Sequence, residues 1–568
     1  MKNQILTCIL LIFIFTTASA QSSWQWAKKS DGSAPLDGGK CITVDENGNS
    51  YVAGYFYSPT ITFDTITLIN FSNGIDIFLA KYDSSGNVMW AKRFGGNIGE
   101  FPLGIALDLN GNIFITGSTG STSIIFGAFT LINTIAPKTE VFTVKFDNSG
   151  NALWAKMCTG SSNDYVHALT VDKFGNCYVT GFFYGSTITF GSIVLSNIVT
   201  SGLQKPDYFI VKYDPMGNAV WAKRAGGINY DEGYSVTTDT AGEVYVVGHF
   251  QGPSITFGSF TFNGTEDMFV VKYDTSGNVL WAKKESGGSF IDIGTSIAVD
   301  NNKNIFVTGF FNGTTITIGN TTLTNAVTSN NVSDIFIVKY DSAGVVQWVN
   351  GGSGTSYDFP SQIILDRYGN SYIIGSFYSP TLTIDNITLI NSTTSGSKQD
   401  LFLAKFSPFG NAVWMRKLGG YNNDIGVSAA FDTSNHLYIT GQFESPSLDF
   451  DTFTLTSSLA NSDSADFFIA RLNLDLPNST NVPEQIEKRD EISVYPNPSL
   501  GNFVISFNYL TNGEIEIYNI LGKNVFKENI VNESKKEISL INTSSGIYFV
   551  KVFDGDKNYC KKLIVEQD

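Results

Sequence analysis

The sequence predicts an all-β protein: a seven-bladed β-propeller closed by its own N-terminal strand, followed by a small immunoglobulin-like β-sandwich. Three observations carry this expectation. One stretch, clearest as DMFVVKYDTSGNVLWAKK from Asp267 to Lys284, recurs in seven near-copies when the two ends of the repeat region are joined. The copies lie 60 to 67 residues apart, and each unit reads as four strands, which are the period and strand count of a propeller blade. The composition favours strands and tight turns, with 55 Gly, 44 Phe and 25 Tyr in 568 residues.

The chain opens on an export signal. Lys2 supplies the positive start, Ile5 to Phe15 the apolar stretch, and Ala18-Ser19-Ala20 a small-residue cleavage site, so residues 1–20 are removed and the mature chain begins at Gln21. The apolar run is too short to span a bilayer, and no later stretch qualifies. Cys8 lies inside that run, away from the place of a lipidated cysteine.

The repeat region, 21–473, is marked by Trp26, Trp90, Trp154, Trp221, Trp281, Trp348 and Trp414, each closing a strand-like run. Upstream of six of them an acidic residue opens a DxFxxKYD-like strand: Asp76, Glu140, Asp207, Asp267, Asp334 and Asp400. A seventh such strand, Asp466 to Arg471, has no Trp after it, and Trp26 has no such strand before it. The two half-units complete one blade, so Ser23 to Lys29 is expected to pair with Asp466 to Asn473 and remove two free edges. Between the copies lies D-x-x-G-N-x-[YF]-[VI]-x-G, at Asp45, Asp108, Asp172, Asp239, Asp300, Asp366 and Asp432, with departures at Glu243, Lys303 and Asn435. A short TITF-like hairpin follows each, as at Thr60 to Phe63. The Asp-x-x-Gly-Asn segments read as hairpin turns, with Asp bonding nearby amides and Gly in the left-handed region. They lack the alternating oxygens and distal Glu of a Ca²⁺ loop. The strands are apolar in unbroken runs because a blade is covered on both faces.

These units resemble the SBBP-type β-propeller repeats of secreted and surface bacterial proteins, over about 37 to 473. The resemblance implies the fold and leaves the function open.

Residues 474–491, LDLPNSTNVPEQIEKRDE, form a linker with two prolines and no apolar pattern. The last stretch, 492–568, has short alternating strands with Gly and Asn turns. It is similar to the type A C-terminal sorting domain of the type IX secretion system of Bacteroidetes. The motif residues are Pro496, Asn497, Pro498, Gly522, Lys523, Gly546, Tyr548 and Lys562. This resemblance implies Sec export, folding in the periplasm, and recognition by the outer-membrane translocon. It also implies removal by a sortase-like peptidase, and an extracellular or cell-surface destination.

The formal charge of −16 argues against nucleic acid or an acidic membrane as partner. Cys41, Cys158, Cys177 and Cys560 follow no repeat and read as small buried hydrophobes, with Cys158 and Cys177 the one pair close enough in sequence to bridge. Eight residues before each turn Asp stands another acid: Asp37, Glu100, Asp164, Asp231, Asp292, Asp358 and Asp424. They precede the innermost strands, so they form a candidate acidic ring at one channel mouth, able to hold Ca²⁺ or, alternatively, to accept loop amides. The repeated Lys81, Lys145, Lys212, Lys272, Lys339 and Lys405, with Arg471, are expected to pair with Asp across strands. His167, His249 and His436 occupy different repeat positions and form no regular metal triad. The residue after each second-strand Gly varies (Tyr55, Ser118, Phe182, His249, Phe310, Ser376, Gln442) and is a candidate for blade-specific recognition. No catalytic motif is singled out. The expectation is a non-catalytic binding or adhesion module for glycan or surface protein. A propeller polysaccharide lyase or hydrolase and a purely structural surface component are the alternatives.

Overall fold

The computed structural model describes residues 22–474, apart from 33–35, 72–73, 199–204, 286–289, 328–331, 394–395 and 459–463, and residues 492–565, apart from 496, 498, 520–522, 541–542 and 554–557. The export signal at 1–20 and the linker from 475 lie outside the described residues. The chain divides into two compact units, 1–475 and 476–568.

The first unit is all-β and propeller-like, and among the described residues its repeats form seven antiparallel sheets, six of four strands and one that an inserted hairpin extends to six. The first sheet is Asp37–Val44, Ser50–Phe56, Asp76–Tyr82 and Val88–Phe94. Five more repeat this order, and the seventh holds Asp424–Phe431, His436–Phe443 and Asp466–Asn473. Its outer strand is Ser23–Lys29, paired antiparallel with Asp466–Asn473. The first strand of each sheet lies against that of the next, and that of the seventh against that of the first.

The second and third strands of each sheet are buried almost without a break. Their Val, Ile, Phe and Tyr side chains pack against neighbouring sheets on both faces, which explains the unbroken apolar runs. Each such side chain contributes roughly 1.5–3 kcal/mol relative to exposure.

Three devices join neighbouring sheets. In six sheets the fourth-strand Trp reaches the hairpin turn of the next sheet. Trp26 Nε1 donates to Ser84 O at 3.1 Å, Trp154 to Pro215 O at 3.1 Å and Trp348 to Pro408 O at 3.0 Å. The turn glycine is required twice over. Gly86 sits at φ +82°, and a Cβ there would meet Trp26 Cδ2 at 2.7 Å. Second, the inserted hairpins stitch backward. Thr60–Phe63 pairs with Asp31–Gly32, Thr187–Phe190 with Thr159–Gly160, and Thr381–Ile384 with the end of Val346–Ser353. Third, in six sheets the amide at the start of the first strand donates to a carbonyl just before the third strand of the preceding sheet, as in Asp37 N to Ala465 O at 3.1 Å and Asp164 N to Thr139 O at 2.8 Å.

The repeated cations stand over the aromatic ring of the adjacent second strand, as Lys81 over Tyr51 at 4.8 Å and Arg471 over Tyr438 at 5.6 Å. This corrects the expected cross-strand pairing with Asp. Only Lys145 with Asp108 (3.0 Å) and Lys272 with Glu243 (2.8 Å) also form ion pairs among the described residues. Cys41, Cys158 and Cys177 are buried and unbridged.

The strands of the second unit are Ile492–Tyr495, Asn502–Asn519, Asn524–Ser539, Gly546–Phe553 and Asn558–Val565. Hydrogen bonds join them into one five-stranded sheet. Asn502–Asn519 belongs to both halves. Its first part pairs with Ile492–Tyr495 and its second with Gly546–Phe553. Phe503, Ile505, Ile515 and Ile517 share one core with Val550, Val552 and Leu563. No helix among the described residues is long and apolar enough to cross a membrane.

Deleting Ser23 to Lys29 removes buried Trp24 and Trp26 and bares one edge of Asp466–Asn473. Loss of each Trp costs about 3–5 kcal/mol. The truncated protein should melt well below the intact chain in a thermal scan, with equal melting temperatures contradicting the pairing.

Candidate functional site

The seven first strands surround a cavity of about 740 Å³. Each strand carries a β-bulge three residues after its leading acid. A bulge re-aims one side chain out of the regular alternation. The bulged residues are Lys40, Leu103, His167, Tyr234, Thr295, Ser361 and Val427, and all seven line the cavity. The backbone repeats here while the chemistry does not.

The reactive side chains gather on the third and fourth sheets. The His167 and Tyr234 rings stack, with centroids 4.5 Å apart and planes at 15°. His167 Nε2 lies 3.6 Å from Glu232 Oε2, and the Tyr234 hydroxyl also bonds Glu232. His249 pairs in register with Glu232 and lies 5.8 Å from the Tyr234 ring. It is buried, and its Nδ1 has no hydrogen-bond partner. Burial pushes the Glu232 carboxyl up, but the neighbouring His167, His249 and Tyr234 side chains outweigh it and hold it below the usual range. Burial pushes His249 down, and burial and Glu232 together push the Tyr234 hydroxyl up. The cluster therefore holds a carboxylate, a neutral phenol and a neutral imidazole. An aromatic track continues from it through Phe182, Tyr165, Tyr184 and Tyr230, over whose ring Lys205 stands at 4.3 Å. On the first sheet, Lys40 stands over Tyr55 at 5.5 Å, and the Tyr55 hydroxyl donates to Gln442 at 2.8 Å.

The acids Asp37, Glu100, Asp164, Asp231, Asp292, Asp358 and Asp424 are each 0% exposed, so they present no open carboxylate ring to solvent. Their oxygens accept bonds from the surrounding loops. The Ser58 hydroxyl donates to Asp37 at 2.6 Å, Ser379 to Asp358 at 2.8 Å and Ser445 to Asp424 at 2.6 Å. Gly96 N donates to Glu100 at 3.0 Å and Gly227 N to Asp231 at 2.6 Å. The residues after the second-strand glycines lie opposite the residue following each acid. All of Tyr55, Phe182, His249, Ser118 and Ser376 are buried, and Phe182 and His249 pack against the His167–Tyr234 cluster. His436 sits apart, bonded to Asp432 at 2.7 Å. The bulged residues had a sequence signal. The third position after each acid holds seven different residues at one fixed spacing.

In the second unit, Asn497 ties its loop to the last strand, its Nδ2 donating to Lys562 O at 2.7 Å and its Oδ1 accepting Ile564 N at 2.8 Å. The Lys523 amide donates to Asn519 at 3.0 Å, and the Tyr548 hydroxyl to Ser544 O at 2.7 Å. Gly546 and Lys562 are exposed, while Pro496, Pro498 and Gly522 lie outside the described residues.

Residues 493–566 match the secretion system C-terminal sorting domain, and residues 90–125 and 220–249 match the SBBP beta-propeller repeat. The chain carries both, and the sorting domain marks it for secretion. An uncharacterized WD repeat-containing protein of Acanthamoeba polyphaga mimivirus is 24% identical over 546 residues, 80% of this chain and 38% of that protein. The ulvan lyase NLR42 of Nonlabens ulvanivorans is 30% identical over 246 residues, 41% of this chain and 40% of the lyase. The chain thus spans about two fifths of the length of these relatives. A solved ulvan lyase structure is similar with a TM-score of 0.37 at 12% identity, covering 74% of this chain and 93% of the lyase.

Burial raises the leading acids, to about 6 for Asp37 and Asp424, about 8 for Asp358 and about 9 for Asp231, against partly compensating hydrogen bonds. Each holds its proton more tightly folded than unfolded. Its stabilising contribution is complete below the ordinary carboxylate pKa and is lost as pH rises through the folded value. Thermal melts should therefore show the melting temperature falling from roughly pH 4 towards pH about 9. Asp358→Asn should flatten the alkaline part of that fall. A melting temperature that climbs over this range would refute the assignment.

Proposed function

We propose that this chain, which carries beta-propeller repeats and a C-terminal sorting domain, is a secreted or cell-surface seven-bladed propeller that binds a glycan in its lumen. Its seven sheets are the blades of one closed ring, completed by the N-terminal strand. The observation that carries the binding site is the broken symmetry of the bulges. Identical backbone positions hold Lys40, Leu103, His167 and Tyr234 on the first four sheets and Thr295, Ser361 and Val427 on the last three. A scaffold alone has no need of that difference. Stacked rings beside a carboxylate and an ammonium suit sugar faces and hydroxyls, and the track from Phe182 to Tyr230 extends the surface for a chain of sugars.

A second reading is favoured by His167, Tyr234 and Glu232 together. An imidazole, a phenol and an orienting carboxylate are the groups that abstract a proton beside a uronate carboxyl and protonate the departing oxygen. Two relatives are named as ulvan lyases. On this reading the same lumen cleaves a uronate-containing polysaccharide by elimination.

Export follows from the second unit. The translocon of the type IX system recognises it after folding in the periplasm, and a sortase-like peptidase removes it at the cell surface.

Affinity electrophoresis of the full secreted chain in gels containing ulvan or other uronate polysaccharides, with parallel ultraviolet detection of unsaturated sugar, tests both readings. The binding reading expects retardation without product, weakened roughly tenfold by Tyr234→Ala and unchanged by Ser361→Ala. Product formation abolished by His167→Ala would establish the lyase reading instead. Neither retardation nor product with any uronate or neutral glycan would overturn the glycan assignment. Separately, Asn497→Ala, which frees the loop from the last strand, should shift the protein from the culture medium to the periplasm in cell fractionation.

A further inference from the structure

We propose that Glu140, Cys158 and Asp164 form a buried site for a divalent transition metal of the zinc class. The proposal concerns the junction between the second and third sheets, away from the lumen. It rests on how that junction departs from the others.

At the junctions, the acid opening a third strand faces the leading acid of the next sheet. Asp76 acts electrostatically on Glu100, Asp207 on Asp231, Asp334 on Asp358, Asp400 on Asp424 and Asp466 on Asp37. Two buried carboxyls side by side require a compensating positive group or proton. In five sheets the compensation is a base from the outer strand, placed opposite the Phe two residues after the acid. Arg93 pairs with Asp76, Arg224 with Asp207 at 3.2 Å, Lys284 with Asp267 at 2.8 Å and Lys417 with Asp400 at 3.2 Å. Lys29 acts on Asp466. In the fifth sheet that position is Gly351, and there Ser379 and backbone amides satisfy the pair.

At Glu140 and Asp164 both devices are missing. The base position, opposite Phe142, is Met157. The position of Ser58, Ser379 and Ser445 is Gly185. This is the one junction among the described residues where neither a base nor a serine hydroxyl reaches the pair. A thiol stands there instead. Cys158 Sγ lies 2.9 Å from Glu140 Oε2 and 4.0 Å from Asp164 Oδ2, and one donor atom from each residue falls within 4.8 Å of the others. Asp164 is fully buried, and its Oδ1 has no partner.

Those three donors fit a borderline metal. Zinc binds thiolate at about 2.3 Å and carboxylate oxygen at about 2.0–2.2 Å, which sets tetrahedral sulfur and oxygen ligands about 3.6 Å apart, so the ion enters as the Cys158 thiol gives up its 2.9 Å bond to Glu140 and the pair opens. The second Asp164 oxygen supplies a further ligand. A thiolate in the set selects against Ca²⁺ and Mg²⁺ and for zinc. The metal replaces the missing base as the positive charge of the junction and deprotonates the thiol on binding.

The test uses the full chain exported with zinc in the medium, dialysed against chelator-treated buffer and assayed for metal by mass spectrometry. Wild type and Cys41→Ser should each retain one zinc per chain. Cys158→Ser and Met157→Lys should retain none. Met157→Lys restores the arrangement of the five other sheets, so it is expected to fold without metal and keeps the test decisive if Cys158→Ser misfolds. Cobalt added to stripped wild type should give a thiolate-to-cobalt charge-transfer band that Met157→Lys lacks. Wild type that retains no zinc and gives no cobalt band overturns the proposal. So does zinc retained equally by Cys158→Ser and Met157→Lys, which would place the ion elsewhere.

Discussion

In six sheets the indole of the last strand lies against the hairpin turn of the next sheet, and the arrangement of the first unit depends on that interaction. A four-stranded sheet with both faces apolar is not stable alone. It becomes so only when each face finds a partner at a fixed distance and angle. The Trp26–Ser84 bond and the contact of the Trp26 ring with Gly86 set that spacing, since the glycine admits the ring where any side chain would collide. The same indole closes its own hydrogen bond. Phe, Val and Ile residues fill the space the clamp defines, and the backward-reaching hairpins close the periphery.

The polar side of the same junctions is a row of buried carboxyl pairs. Their repetition shows a scaffold device: a leading acid fixes its loop by accepting amides and a serine hydroxyl, and a base from the neighbouring strand balances the charge. Buried polar networks stabilise only when every member is satisfied. The departures at Gly351 and Met157 are therefore informative, because each forces another way of satisfying the pair.

Much of this organisation was legible in the sequence, and the reason is periodicity. The half-units at Trp26 and at Asp466 to Arg471 predicted the pairing of the first strand with Asp466–Asn473, because a repeat with one missing piece at each end has one completion. The strands and turns of every unit followed in the same way. Depth was not legible. The seven leading acids stood out by spacing, but spacing does not distinguish an open mouth from a buried junction. The lumen cluster was hidden for a different reason. His167 and Tyr234 occupy bulges, which break the two-residue alternation used to assign a strand face, and His249 joins them only through its own sheet. The repeated lysines were paired with Asp from charge alone, whereas register sets them over Tyr and Phe rings. In the tail, the short alternating strands expected over 492–568 include one of 18 residues, Asn502–Asn519.

The seventh sheet takes strands from opposite ends of the repeat region, and this imposes an order of events on biogenesis. A chain emerging from its N-terminus makes Ser23–Lys29 first, yet the strand that receives it, Asp466–Asn473, is among the last pieces of the repeat region to appear. Until then Trp24 and Trp26 have no sheet to enter, and the edge they will cover does not exist. Contacts so distant in sequence form slowly. Completion of the fold is thus withheld until almost the whole repeat region has been delivered.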